Sequence, residues 1–233
     1  GKDVLSISRW EWFGDLEWWE VRNRPRIKID YIDKIKERSK YAEAVAPVLQ
    51  RGASLSRGDL GARSQIFGTT PDYLKTTNYG VAEGRFFTKG EDRSGARVAL
   101  LGHDVAENLF PNQDPIGKYF KIDGIRFKAL GVMEKQGKFL GLFSFDTQVI
   151  IPSGTSQRLF SKRGFLRISV KVPEDKISES KDEIYGIMRQ IRGLKPKEKD
   201  DFAVNQTEAF ESTYNQIKFA IGGVGIFITV LSL

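Results

Sequence analysis

Cysteine is absent from this 233-residue chain, and histidine occurs once, as His103. The first absence removes disulfides, zinc–thiolate centres and thiol nucleophiles together; the second leaves almost no material for a transition-metal site. Neither fixes the compartment. The serine-hydrolase elbow GxSxG, the zinc motif HExxH and the glycine fingerprint of dinucleotide-binding folds are also missing. Gly131 to Phe139 (GVMEKQGKF) resembles a phosphate loop only superficially. Its glycines are separated by five residues instead of four, and Phe139 stands where Ser or Thr must hold magnesium. A Ser–His–Asp triad has only His103 to draw on, and that residue lies at a strand-to-helix junction beside Asp104, where a polar side chain caps a helix or faces solvent. The carboxylate pairs Glu91-Asp92, Asp114 with Asp123, and Asp200-Asp201 fall in predicted turns, where solvation accounts for them. Glycosidase-type pairing stays open on sequence alone, though nothing in the pattern argues for it. No catalytic, cofactor-binding or metal-ligating residue is predicted, and the chain is read as a non-enzyme without a cofactor.

Long apolar runs are also lacking, with one exception. Phe219 to Leu233 (FAIGGVGIFITVLSL) carries no charge and is still apolar where the sequence stops. A spanning helix needs about 20 apolar residues because the hydrocarbon core is about 30 Å thick. The favoured reading is a truncated transmembrane helix, and a buried C-terminal helix or strand is the alternative. Gly222, Gly223 and Gly225 add weight to the first, since small residues let membrane helices approach closely.

What is present is a chain with enough apolar residues, 40%, to bury a substantial core. The net charge is +7, and its excess is concentrated between Val21 and Lys40, where eight basic residues face three acidic ones. Such a patch suits nucleic acid or anionic lipid headgroups, but the favoured reading is a solvated face beside a membrane. No aromatic-interleaved RNA signature accompanies it, and no nucleic-acid partner is expected. All four tryptophans lie between Trp10 and Trp19. Core packing is the expectation for them, with a sheet edge or a membrane surface as alternatives.

The periodicities predict many short elements. LSISRW reads as a strand, and Asp30 as the cap of a helix over 31–40 with Ile32 and Ile35 on one face. Residues 42–67 read as two or three antiparallel strands around turns at Arg51-Gly52 and Arg57 to Gly61. One helical turn follows at Pro71 to Lys75, then a strand at Val98 to Leu101 and a helix at His103 to Phe110. The clearest local signal is Asp123-Gly124 between two β-rich runs, the pair a two-residue type I′ hairpin demands. Strands at 149–151, 166–172 and 201–206 and helices at 153–160 and from Pro173 onward complete the series. The last of these helices carries an apolar stripe of Ile177, Ile184, Ile187, Met188 and Ile191. Such interleaving implies an α+β fold.

Five runs in order carry a resemblance to a known family: Ala82-Glu-Gly-Arg-Phe-Phe, Ala96-Arg-Val-Ala-Leu-Leu-Gly, Val105-Ala-Glu-Asn-Leu-Phe, Asp114-Pro-Ile-Gly-Lys and Phe127-Lys-Ala-Leu-Gly-Val-Met-Glu. Together they resemble the periplasmic core domain of MacB-type, or FtsX-like, ABC transporter permeases. The likeness extends through Val149-Ile-Ile-Pro to Gly222-Gly-Val-Gly-Ile, which looks like the start of the family's second membrane helix. It implies a porter-like α/β subdomain over 41–78 and 148–212, interrupted by a smaller strand-rich, Sabre-like subdomain over 79–147. Residues 1–40 would form a membrane-proximal segment, and 213–233 a stalk entering the transmembrane helix. It further implies a domain in the periplasm, anchored in the cytoplasmic (inner) membrane and working as a homodimer or heterodimer of permeases. A cytoplasmic ABC ATPase subunit would be its partner, with a periplasmic adaptor or other periplasmic protein in some members. The implied role is non-catalytic: coupling cytoplasmic ATP hydrolysis to periplasmic movement for export or mechanotransmission. A ligand-binding or sensing domain without a transport role is the alternative.

Overall fold

The computed structural model describes residues 3–12, 18–77, 80–139, 143–144, 146–160 and 164–206. In chain order these form β1 (Val4–Ser8), α1 (Trp18–Asn23), α2 (Tyr31–Arg38), β2 (Ala44–Arg57), β3 (Leu60–Thr69), β4 (Val81–Gly84), α3 (Lys89–Ser94), β5 (Val98–Leu101) and α4 (His103–Leu109). There follow β6 (Tyr119–Ile122), β7 (Ile125–Met133), β8 (Lys138–Phe139), β9 (Phe143–Ser144), β10 (Gln148–Pro152), α5 (Ser153–Phe160), β11 (Phe165–Lys171), α6 (Ile177–Arg192) and β12 (Ala203–Gln206). Short 3₁₀ turns occupy Pro71–Lys75 and Glu174–Lys176.

Ten of the strands form one sheet in the order β12-β1-β11-β2-β3-β10-β5-β7-β4, with β6 bridging β2 and β7. The pairs β3–β10 and β5–β7 are parallel and the rest antiparallel. Strand β2 runs fourteen residues and serves three apolar clusters. Val45, Ala53 and Leu55 point to one face, where Val45 joins a cluster under α2 and α6 and the other two join a cluster under α4 and α5. Ala46 and Val48, at the intervening parity, enter a third cluster with Phe67, Tyr73, Phe87 and Leu130. Period-two alternation thus feeds both sides of the sheet.

The central strands explain their own composition. In β5, Ala99 and Leu101 face one cluster while Val98 and Leu100 face the other; in β10, Val149 and Ile151 oppose Ile150 in the same way. Strands buried on both faces read as unbroken apolar runs. The β6–β7 hairpin closes through Asp123 (φ 46°) and Gly124 (φ 81°), as its sequence predicts. Phe120 pairs with Phe127 and Ile122 with Ile125.

Several expectations are corrected. Arg51-Gly52 is no turn: both residues pair across to Ile66 and Gln65, and the chain reverses only at Gly58, whose φ is positive. Asp30 does not cap α2, because its own backbone is helical and its carboxylate accepts instead from Lys34 at 3.2 Å. The tryptophans whose side chains are described do not enter the core. Trp10 and Trp12 are half-buried and Trp19 is 50% exposed; Asn205 of β12 holds the chain just after β1, donating from Nδ2 to the Trp10 carbonyl and accepting at Oδ1 from the Trp12 amide, both at 3.0 Å. Glu91 and Asp92 belong to helix α3, which periodicity cannot reveal because that helix buries no side chain. No described helix is long and apolar enough to cross a membrane. The apolar tail and the helix expected to lead into it lie outside the described residues.

Candidate functional site

Two concave regions bring polar side chains together. The first opens beside α4. Gly102, between β5 and α4, lies so close to the neighbouring loop that a Cβ there would sit 2.4 Å from the Asp146 carbonyl oxygen. That oxygen accepts from the amides of Asp104 and Val105 at 3.0 and 3.3 Å and so satisfies the start of α4. The buried Asp146 carboxylate accepts from the amides of Gln136 and Gly137, both at 2.8 Å, pinning the loop that follows β7. His103 is therefore the first helical residue, not the cap, and stays partly exposed. Its Nδ1 lies 3.7 Å from carboxylate oxygens of both Asp104 and Glu107. His103 and Glu107 line a cleft of about 420 Å³ together with Glu83, Asn112 and Gln113. His103, Asp104 and Glu107 place their ligand-type atoms within 4.8 Å of one another, with no hydroxyl in hydrogen-bond contact with the imidazole among the described residues. The arrangement lacks the parts of a nucleophilic centre.

The other predicted carboxylate pairs are dispersed into structural tasks. Glu91 accepts from Arg85 through both oxygens at 2.8 Å and from the Thr88 amide at 2.8 Å. The Arg85 guanidinium is the chief reason its carboxyl titrates at about 2. Asp92 accepts from the Ser153 hydroxyl and the Gly154 amide, both at 2.9 Å, and thereby supplies the cap of α5 from another element. Asp123 takes Arg51 Nη2 at 2.5 Å and the Ser54 amide at 2.9 Å. Of the residues fixing these regions, Asp146 and Arg9 carry no sequence pattern that marks them; Thr88-x-x-Glu91 is a capping-box signature from which α3 was legible.

The second region lies where the basic stretch meets the sheet. Arg9, just past β1, donates from Nη2 to the carbonyls of Val21 and Arg22 at 2.7 and 2.9 Å, and Arg24 Nη1 returns a bond to the Arg9 carbonyl at 2.8 Å. Arg192 of α6 donates to the Pro25 carbonyl at 3.0 Å, stacks over Tyr31 and pairs with Asp201 at 3.5 Å. Burial, then the neighbouring guanidinium groups of Arg26, Arg192 and Arg24, push the Arg9 pKa below the ordinary arginine value. Within the basic stretch 21–40, Arg22, Arg26, Lys28, Lys36, Arg38 and Lys40 are exposed, as a solvated face requires, while Arg24 joins Arg9 and Arg192 in clamping the segment after β1 to the domain. Next to this clamp is a cavity of about 260 Å³ whose lining includes Arg9, Trp10, Arg26, Arg51, Phe160 and Phe165. Trp10 meets Phe165 edge-on at 5.5 Å, and Arg51 lies over the Phe160 ring at 4.2 Å.

With the sheet order and these regions in hand, the comparisons with known proteins fall into line. A family model described as the MacB-like periplasmic core domain matches residues 2–185. The chain belongs to that family. It is 32% identical over 191 residues to a protein of Rhodospirillum rubrum named macrolide export ATP-binding/permease protein MacB, covering 78% of this chain and 29% of that protein. It is 28% identical over 171 residues to the pyoverdine export ATP-binding/permease protein PvdT of Pseudomonas aeruginosa, covering 72% and 26%. The chain therefore spans less than a third of the length of these relatives. Among solved structures, the periplasmic region of MacB from Actinobacillus actinomycetemcomitans superposes with a TM-score of 0.75 at 19% identity, over 92% of this chain and 94% of that one. The extracellular domain of the transporter YknZ from Gram-positive bacteria gives 0.68 at 18% identity, over 86% and 98%. Both likenesses concern the fold, and they bear out the mixed α/β, sheet-rich architecture of the MacB-like periplasmic core domain.

Proposed function

We propose that this chain is the extracytoplasmic domain of an ABC permease, positioned in the periplasm, where it couples ATP hydrolysis on the cytoplasmic side to movement outside the membrane. The observation that carries the reading is the family match over 2–185, on a chain whose described clefts contain no assembled nucleophile and base. In this reading the partners are a cytoplasmic ABC ATPase, a second permease and, for an exporter, a periplasmic adaptor. Residues 41–78 and 148–212 are the porter-like part, 79–147 the Sabre-like insertion and 213–233 the stalk entering the membrane. The relatives named for macrolide and pyoverdine export support an export role over a sensing one.

These 233 residues hold no cysteine, so single cysteines placed on exposed residues of this domain, in a full-length permease cleared of any cysteine elsewhere, report contacts without background. Their cross-linking between two copies is expected to change when the ATPase is trapped with ATP and vanadate. Cross-linking that is identical with and without nucleotide, across a panel of positions, overturns the coupling. The isolated chain is expected to turn over no ATP; steady hydrolysis by contaminant-free protein overturns the non-catalytic reading.

A further inference from the structure

The cavity beside the arginine clamp is richer in positive charge than the fold requires. Three guanidinium groups, those of Arg9, Arg26 and Arg51, line its approximately 260 Å³, and no carboxylate does so among the described residues. Arg9 spends Nη2 on backbone carbonyls, and Arg51 spends Nη2 on Asp123. Their remaining buried nitrogens, Arg9 Nε and Arg51 Nε and Nη1, have no hydrogen-bond partner among the described residues. Buried N–H groups without acceptors are uncommon and costly. Arg26 is exposed and has no ion pair among the described residues. Burial first, and the neighbouring guanidinium groups after it, lower the Arg9 pKa, and an anion would offset the second of these causes. Most of the rest of the lining is apolar, with Gln50, Ser156 and Gln157 the polar members: Trp10, Phe160 and Phe165 with Leu49 and Leu166 make a wall suited to hydrocarbon or an aromatic ring. Guanidinium groups match carboxylate and phosphate oxygens in geometry, and apolar walls reward the body that carries them.

We propose that this cavity is a binding site for an anionic amphiphile, a phosphate or carboxylate group borne on an apolar body. Arg26 makes the direct contact, Arg9 and Arg51 supply the surrounding field, and Trp10 covers the apolar part. The site stands apart from the coupling role proposed above and does not depend on it. Two sources share this chemistry: a free amphiphile in solution and a lipid headgroup at a bilayer surface.

Octyl phosphate titrated into the 233-residue chain by calorimetry is expected to bind saturably with one-to-one stoichiometry. Arg26→Gln should weaken it by about tenfold or more, the loss expected of one charge-assisted hydrogen bond, while Arg26→Lys retains part of the affinity. Because Arg26 is exposed and unpaired among the described residues, neither variant should shift the melting temperature. Trp10→Ala should weaken octyl phosphate but leave inorganic phosphate, the poorer ligand, unchanged. Co-sedimentation with phosphatidylglycerol vesicles but not phosphatidylcholine vesicles, lost in Arg26→Gln, assigns the lipid source; octyl phosphate binding without co-sedimentation assigns the free one. Absence of saturable binding, equal heat from octylammonium, or full affinity in Arg26→Gln overturns the proposal.

Discussion

Glu91 does two things with one carboxylate: it closes the capping box of α3 with Thr88 and pairs with Arg85. Its pKa is held at about 2 against an ordinary 4.5, so the unfolded chain binds more protons than the folded one between those values. The resulting stability is fully present above about pH 4.5 and is lost as the pH falls toward 2. Glu91→Gln is expected to flatten the dependence of melting temperature on pH across that window. At neutral pH it should cost only about 1 kcal/mol, because Arg85 is largely solvated and its pairing screened. Asp123 is the second residue with two tasks, shaping the hairpin at positive φ and holding Arg51. The double variant Asp123→Ala, Gly124→Val removes both acceptor bonds and places a β-branched side chain at a φ of 81°. A loss of about 2–4 kcal/mol in urea unfolding is expected; an unchanged midpoint would remove the turn from the account. The Asp-Gly pair was legible because its demand is local. Arg51 as its partner was not, since 72 residues separate the two.

Elements were legible to the extent that burial imposes a period on them. Helix α6 shows its stripe in sequence because Ile184, Ile187 and Met188 all face one cluster. Helix α3 buries nothing, so only its capping box could announce it. Its purpose emerges at the contact with α5, where the Asp92 carboxylate takes the Ser153 hydroxyl and the Gly154 amide. The approach is tight: a Cβ on Gly154 would lie 2.3 Å from the Asp92 carbonyl oxygen. Asp92→Ala leaves the start of α5 without its acceptor and is expected to cost about 1–2 kcal/mol, the value of a helix cap. Asp92→Asn should recover part of it, since its amide oxygen can still accept. Hydrogen exchange at the first turn of α5 reads the effect directly, and protection unchanged in Asp92→Ala would show that α3 merely lies beside α5.

At the scale of the molecule, β2 ties the parts together, feeding three clusters from alternate residues of one strand. Among the described residues, the members of those clusters run from Leu5 to Val204. On the proposed reading of 213–233 as a stalk entering the membrane, a chain ending at Gln206 is expected to melt within a few degrees of the 233-residue chain, and to self-associate less because the apolar run from Phe219 is gone. Collapse of folding on that deletion would mean that the tail completes the core, since each large buried side chain lost costs about 2–5 kcal/mol.

Local physics fixed much of this protein from its sequence alone. Alternation and turn chemistry specify the β6–β7 hairpin, apolar runs specify the doubly buried β5 and β10, and the ordered motifs from Ala82 to Glu134 specify the family. Tertiary structure alone decided which strands adjoin, because pairing β3 with β10 joins residues some 80 positions apart and no periodicity encodes a partner. It also decided the fate of the charges. Arg9, Arg24 and Arg192, far apart in the chain, become a clamp on backbone carbonyls, and Arg9, Arg26 and Arg51 line one cavity, because a guanidinium's role depends on which acceptors the fold brings within about 3 Å of it.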